Sequence, residues 1–395
     1  MTEKNVLIAG GGIGGLTAAA CLLQRGIDVD VYEQADELGE VGAGIQVSAN
    51  ASRVYQHIGI LDDLVEAGSC PEAYRFRLFD SGEVLQTIPL GSAYVRRHGV
   101  PYVSVHRADL HRLLVERVTA LKPDAIHLGV EVTGFEELQQ GGVTLRFADG
   151  GCVTGRALLG ADGIKSAVRR QIVGAAPVTY TGDASWRVVV ESENVAEEHR
   201  QRTVDIWVGP GKHAVTYPMR GDRLINLVGC VEHDEWDEES WVASRPWHEL
   251  KEDFQGWHPS IGALIDAADR DHCYRWAMNN RPPVENWTSG HATLLGDAAH
   301  PTLPYMAQGA AMAVEDAAVL ARALEAEPRT DEALRLYQRN RIERTTRIVN
   351  ESSSNRRLFH LNSTAELREE FAKRDISSER SAWLFSYDPV RVDML

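Results

Sequence analysis

Two side chains able to move protons, His213 and Tyr217, stand four residues apart in the run His213-Ala214-Val215-Thr216-Tyr217-Pro218. Even spacing on a strand sends both to one face. A histidine titrates near neutral pH and can take or share a phenolic proton, while a tyrosine hydroxyl can hydrogen-bond a ring hydroxyl or a carboxylate. Such a pair could exchange a proton with a bound ligand. The same spacing also describes a buried structural His–Tyr pair. A second constellation opens the chain: Gly10-x-Gly12-x-x-Gly15, with Gly14 in the same loop and Glu33-Gln34 downstream. Gly10 allows a tight turn, Gly12 lets a pyrophosphate approach the backbone, and Gly15 lets a helix pack closely on a strand. The helix that follows offers unpaired N–H groups and a positive dipole end to phosphates. Glu33, 18 residues past Gly15, is placed to accept hydrogen bonds from ribose hydroxyls. That motif fits FAD and NAD alike.

These residues need elements to hold them. Val6-Leu7-Ile8-Ala9 has strand length, Leu16 to Leu23 is Ala/Leu-rich and helical, and Val29 to Glu33 is a second strand ending in an acid. The three form a βαβ unit, the building block of a parallel sheet. Tyr74 to Pro89 alternates, Leu110 to Leu121 has helical spacing, and His127 to Ala157 reads as a small antiparallel sheet with turns at Gly141-Gly142 and Asp149-Gly150-Gly151. Between about Thr179 and Arg275 β-rich segments recur, and Trp186, Trp207, Trp236, Trp241, Trp247 and Trp257 cluster. Leu294 to Asp297 returns to the strand-then-loop pattern. A helix is expected over Ala310 to Leu324 and an amphipathic one from Asp331 to Phe359, with an irregular tail after it. The fold class is α/β: a Rossmann-like nucleotide-binding domain (1–70, 100–178 and 276–330) interleaved with a β-sheet substrate domain (71–99 and 179–275), and a C-terminal helical segment (331–395).

The chain has 395 residues, enough for two domains. Its net charge of −16, from 57 acidic and 41 basic residues, argues against a nucleic-acid partner. There is no run of about 18 apolar residues to span a membrane, and no signal-peptide pattern at the start. Five scattered cysteines form neither a CxxC pair nor a zinc-like cluster. They read as free thiols of a cytoplasmic protein, and no metal is expected.

Gly160-Ala161-Asp162-Gly163-Ile164-Lys165-Ser166-Ala167-Val168-Arg169 resembles the GADGxxSxVR signature of the class A flavoprotein aromatic hydroxylases. Leu295-Gly296-Asp297-Ala298-Ala299-His300-Pro301 resembles that family's GDAAH segment. Glu40 to Val47 resembles its loop at the flavin edge, which includes Gly44, and His106-Arg107-Ala108-Asp109-Leu110-His111 resembles its HRxDLH segment. The resemblance covers almost the whole chain and implies a para-hydroxybenzoate-hydroxylase type of fold. It implies that Arg107 contacts FAD, that Asp162 and Gly163 serve FAD and a visiting nicotinamide, and that Asp297 binds the ribityl chain. Pro304 and the helix starting at Gly309 and Ala310 would then face the flavin, whose reduced form the helix dipole can stabilise.

Within the family the chain resembles the 3-hydroxybenzoate 6-hydroxylases, the 6-hydroxynicotinate 3-monooxygenases and the salicylate hydroxylases. His213 and Tyr217 match the HxxxY of the first two, where both side chains face the substrate. Pro304 to Gly309 resembles the nicotinate and fungal salicylate enzymes, whereas Gln46-Val47 resembles the 3-hydroxybenzoate enzymes, so the ring stays open. The implied activity is hydroxylation of a small hydroxylated aromatic carboxylate with NADH or NADPH and oxygen, through a flavin hydroperoxide. Carbon dioxide is lost where the attacked carbon carries the carboxylate. Relatives leave a homodimer open. His300 reads as a loop histidine or a catalytic one, and Arg187 as a residue of the flavin or nicotinamide path or of the surface. The rival readings are a flavin monooxygenase of a larger substrate, a non-catalytic FAD-binding protein and an NAD-dependent dehydrogenase. The last would be colourless when purified.

Overall fold

A computed structural model describes residues 5–39, 44–175, 179–233 and 245–395. Glu40 to Ala43 of the flavin-edge segment, Trp236 and Trp241 lie outside them. The βαβ expectation holds. Val6–Ala9 pairs in parallel with Val29–Tyr32 on one side and Ala157–Gly160 on the other. Its four residues are fully buried, as a strand covered on both faces must be, and that is why it reads as an unbroken apolar run. Ile126–His127, Ala292–Leu294 and Thr288–Ser289 complete a six-stranded sheet. The helix Ile13–Leu23 packs between the helices Gly309–Ala326 and Arg107–Leu121.

The alternating stretch from His127 to Ala157 is narrower than expected as an antiparallel sheet. Its two ends belong to the parallel sheet, and only Val132–Glu137, Val143–Phe147 and Cys152–Gly155 form the three-stranded meander. Ile126–His127 follows the helix Arg107–Leu121 and so returns in parallel, whereas hairpin turns hold the middle three strands together.

The second sheet has seven strands, in the order Tyr274–Asn280, Thr179–Glu191, Leu224–Glu232, Lys212–Met219, Val204–Gly209, Ala73–Leu78 and Val84–Pro89. It is antiparallel except where Val204–Gly209 meets Ala73–Leu78. One face is closed by the helices Trp247–Asp253 and Pro259–Asp266 over Trp186, Trp207, Ile225 and Leu227. The opposite face turns toward the parallel sheet.

The expected irregular tail is instead helical over Thr364–Lys373 and Ile376–Glu379, with a π-helical turn over Arg380–Leu384. Ser363 accepts the N–H of Glu366 at 3.2 Å, which is one half of a capping box. Leu367 and Phe371, one turn apart, are buried, and Phe371 meets Phe76 with ring centroids 5.0 Å apart. The Trp383 to Tyr387 stretch closes on the core. Arg347 lies 3.8 Å over the Trp383 ring, Arg344 lies 3.9 Å over Tyr387, and Arg53 donates to the carbonyls of Phe385 and Tyr387.

Candidate active site

Between the carboxyl ends of the parallel strands and the inner face of the seven-stranded sheet lies a cavity of about 390 Å³. Such a crevice is where open α/β sheets receive ligands. One wall is largely backbone: Gly12, Gly14, Gly163, Leu295, Asp297, Pro304, Gly309 and Ala310. The other is made of alternate residues from three neighbouring strands: Ser185 and Arg187, Val228 and Cys230, and His213, Val215 and Tyr217. The period-two rule puts all seven on one face.

The glycine loop has the shape a pyrophosphate needs. Gly10 sits at φ +105°, and a Cβ there would meet the Ala161 carbonyl oxygen. A Cβ on Gly15 would strike the Gly10 carbonyl, so helix and strand approach as only glycine permits. Gly12 differs, because a Cβ there would meet nothing within 4 Å. It borders the cavity and starts the helix Ile13–Leu23 without a side-chain cap. Space, uncapped N–H groups and the dipole end coincide at this point. Behind the loop, Glu33 accepts the N–H of Gly11 at 2.7 Å and of Ala35 at 2.9 Å. His111 ties its Nε2 to the Gly11 carbonyl at 2.8 Å.

Asp297 opens into the cavity, and its carboxylate has no hydrogen-bond partner among the described residues. Its surface is accessible through the cleft, yet protein surrounds the cleft. That enclosure pushes its pKa up, against the opposing pull of His300 and Arg107. An acceptor held this way suits a polyol. The turn that carries it is fixed from below: the Gly296 N–H donates to Asp316 at 3.0 Å, and His300 Nε2 meets the same Asp316 oxygen at 2.6 Å. Asp316 and Glu315 are fully buried, as is Arg341, which lies 2.7 Å from each. Burial alone would raise the Asp316 pKa, but His300 and Arg341 hold it at about 2. His300, 2% exposed, therefore supports the turn and does not border the cavity.

On the substrate-facing wall, His213 is buried, and its Nδ1 shares a hydrogen bond of 2.8 Å with Nε2 of His360. Burial, and then the neighbouring His360, push its pKa well below the ordinary histidine value. A resting neutral imidazole follows, able to accept a proton at its remaining nitrogen. Tyr217 lies against Gly44, where a Cβ would collide with its ring. Burial raises its pKa, opposed by Arg187 and by hydrogen bonds with Gln46 and Asn226. The hydroxyl stays protonated. Arg187 is the cation on this wall, stacked 4.4 Å over the Trp276 ring. Its Nε is buried with no partner among the described residues.

The structure thus brings Gly12, Gly14, Gly44, Arg107, Gly163, His213, Tyr217, Asp297, Pro304, Gly309 and Ala310 to one cavity. Gly10, Gly15 and Glu33 shape the loop from behind, and Gln34 is exposed. Asp162 does not border the cavity. Its Oδ2 accepts the N–H groups of Ala167 at 2.8 Å and Val168 at 3.2 Å, capping the helix Ala167–Ile172. Asn226, His360 and the Asp316–Arg341 network were not foreseen. Each acts through a partner distant in sequence, and the only local signal was the acid pair Glu315-Asp316 on a face otherwise rich in alanine. Asp183, Glu232 and His360 lie close enough together to hold a cation. However, Arg356 donates to both Asp183 oxygens at 2.6 and 2.8 Å, so this cluster already carries its counter-charge.

A family model described as FAD binding domain matches residues 3–352. The chain belongs to this FAD-binding family and is an FAD-dependent monooxygenase of the aromatic-hydroxylase type. Three relatives span nearly its whole length or most of it. The 3-amino-4-hydroxybenzoate 2-monooxygenase of Streptomyces platensis is 37% identical over 99% of this chain and 98% of its own. A 3-hydroxybenzoate 6-hydroxylase of Polaromonas naphthalenivorans is 40% identical over 90% and 88%. A 6-hydroxynicotinate 3-monooxygenase of Pseudomonas fluorescens is 36% identical over 100% and 97%. Among solved structures, Klebsiella pneumoniae HpxO complexed with FAD and uric acid superposes with a TM-score of 0.82 at 30% identity, covering 95% of this chain and 94% of that one. No helix among the described residues is long and apolar enough to cross a membrane.

Proposed function

We propose that this protein hydroxylates a small hydroxylated aromatic carboxylate, using NAD(P)H and oxygen. The observation that carries this reading is the two-faced cavity. A backbone-lined wall with one acceptor, Asp297, stands opposite a wall that presents a neutral imidazole, a tyrosine hydroxyl and one enclosed guanidinium. FAD fits the first wall: the uncapped helix end at Gly12 would take the pyrophosphate, Asp297 the ribityl hydroxyls, and the backbone around Gly309 and Ala310 the ring edge. FAD, when bound, supplies hydride acceptance and activation of oxygen. The chain's own residues do the rest. Arg187 pairs with the substrate carboxylate, Tyr217 hydrogen-bonds and aligns the ring, and His213 accepts the ring hydroxyl proton at Nε2. Val215, Val228 and Leu303 keep water from the reacting face.

The three relatives named above act, by their names, on an aminohydroxybenzoate, a hydroxybenzoate and a hydroxynicotinate, all single rings with a carboxylate. The cavity volume supports the same class, because about 390 Å³ shared with a flavin ring accommodates one aromatic ring more readily than a polycycle. The free thiols Cys21, Cys70, Cys152, Cys230 and Cys273 suit a reducing cytoplasm.

The test is oxygen-dependent NADH and NADPH oxidation by the yellow holoenzyme with 3-hydroxybenzoate, 3-amino-4-hydroxybenzoate, 6-hydroxynicotinate, salicylate and 4-hydroxybenzoate, with products weighed by mass spectrometry. One acid is expected to stimulate NAD(P)H loss and gain an oxygen, and the product mass shows whether the carboxylate remains. No stimulation by any acid would sink the reading. With the active acid in hand, Arg187→Met is expected to raise KM by roughly 10- to 100-fold, the worth of a charged hydrogen bond of about 1.5–3 kcal/mol. An unchanged KM would remove Arg187 from the carboxylate site.

A further inference from the structure

We propose that His360 and Glu232 form the path by which the ring proton taken up by His213 leaves for solvent. The proposal rests on the reading above, that a phenolic ring faces His213.

The contacts form one line. His213 borders the cavity, and its Nδ1 lies 2.8 Å from Nε2 of His360; the other nitrogen of His360, Nδ1, lies 3.1 Å from Oε1 of Glu232. Exposure rises along this line, from a His360 side chain at 2% to a Glu232 side chain at 46%. His360 spends one nitrogen on His213 and the other on Glu232, while His213 spends only Nδ1 on His360 and borders the cavity, the arrangement a relay needs. His213 stands on the strand Lys212–Met219, Glu232 ends the strand Leu224–Glu232, and His360 immediately follows the helix Thr330–Phe359. Three separate elements therefore converge on the path.

Every charged or titratable neighbour leaves this direction open. From the strand Thr179–Glu191 comes Asp183, fully buried and occupied by Arg356 and by the hydroxyl of Tyr305. Arg356, on the long helix, also lies 3.5 Å from Glu232. Cys230 pairs with His213 across the strands, and burial pushes its thiol up to about 12, so it holds its own proton. Arg187 shares the cavity wall and favours a ring that has lost its proton. Burial lowers the pKa of both histidines, so a proton passes through them without being stored.

The transfer balances. The ring O–H breaks and its proton joins Nε2 of His213. The Nδ1 proton of His213 moves to Nε2 of His360, and the Nδ1 proton of His360 moves to Glu232, which releases it to water. The ring is left as phenolate, and the reversed sequence resets the tautomers. No oxidant is involved.

The test uses the FAD-loaded full chain and the panel acid that the wild type hydroxylates. Stopped-flow absorbance follows ionisation of the bound ring across the neutral pH range, beside steady-state turnover. His360→Gln, which can hydrogen-bond but cannot relay, is expected to slow ring ionisation and kcat by about 100-fold with KM nearly unchanged, within the usual span for a lost acid–base group. Glu232→Gln, a change at a half-exposed position, is expected to slow both as well and to flatten their pH dependence. His360→Ala should regain rate when imidazole is added. Wild-type ionisation rates in His360→Gln would overturn the proposal, as would a loss in His360→Ala that is the same at every pH and indifferent to imidazole. If the wild type itself hydroxylates no acid, the functional reading falls first and takes the relay with it. If the wild type is active and the variants match it, only the relay falls.

Discussion

Replacing Arg341 with methionine is expected to destabilise the fold by about 3–5 kcal/mol, the usual consequence of leaving buried charges without their partner. Arg341 has no exposed surface and lies between Glu315 and Asp316, which are equally enclosed. Arg344 and Asn50 would remain on Glu315, and His300 on Asp316, but none of them reaches both carboxylates. Urea unfolding of the apoprotein at neutral pH measures the loss. A change under 1 kcal/mol would show that the network is not needed for stability.

The same substitution carries a pH signature. In the wild type the Asp316 pKa is held at about 2 against a reference of 3.8. A depressed carboxylate contributes stability above the unfolded value and loses it as pH falls through the folded value. Wild-type stability should therefore decline as pH drops from about 4 toward about 2, whereas the variant, whose buried carboxyls are better off neutral, should decline less. The gap between the two proteins narrows in acid. A constant gap would place the damage in packing rather than charge.

Gly12→Asp is expected to abolish FAD retention while leaving a folded protein. The Gly12 backbone has φ −75° and ψ −177°, an extended conformation open to any residue, and its missing Cβ faces empty space. Aspartate is a favoured N-cap, so the helix start should gain a few tenths of a kcal/mol. The new carboxylate, however, stands where the pyrophosphate would lie. Two like charges about 4 Å apart at an effective dielectric of about 20 repel by about 4 kcal/mol, or roughly 1000-fold in affinity. Flavin content after purification and an FAD titration of the apoprotein measure this, with circular dichroism as the fold control. A yellow Gly12→Asp protein would move the pyrophosphate away from this loop.

The parts legible in the sequence are those whose reason for existing is local. The glycines, the strand before them and the acid after them are close neighbours in the chain, so their spacing states the turn and the helix start directly. His213 and Tyr217 share a strand, and alternation alone put them on one face. The parts that escaped depend on partners far apart in the chain. Nothing near His360 marks it as a neighbour of His213, because that contact exists only once the long helix ends beside the large sheet. Arg341 looked like any charge on an amphipathic helix until Gly309–Ala326 brought Glu315 and Asp316 to it. The tail departs from expectation for a nearer reason: its run is mostly polar, and the helix Thr364–Lys373 buries only Leu367 and Phe371.

The order of strands also governs how the chain matures as it is made. Val6–Ala9 has Ala157–Gly160 as its second neighbour, and that strand in turn needs Ala292–Leu294. At about 5–20 residues per second, a ribosome leaves the first strand with an open edge for on the order of ten seconds. Open edges of apolar strands are sites of mispairing, so this interval is where a chaperone has most to do. The glycine loop is made long before the helix Gly309–Ala326 that faces it across the cavity. The cleft that would take the flavin is therefore incomplete until that helix has been made.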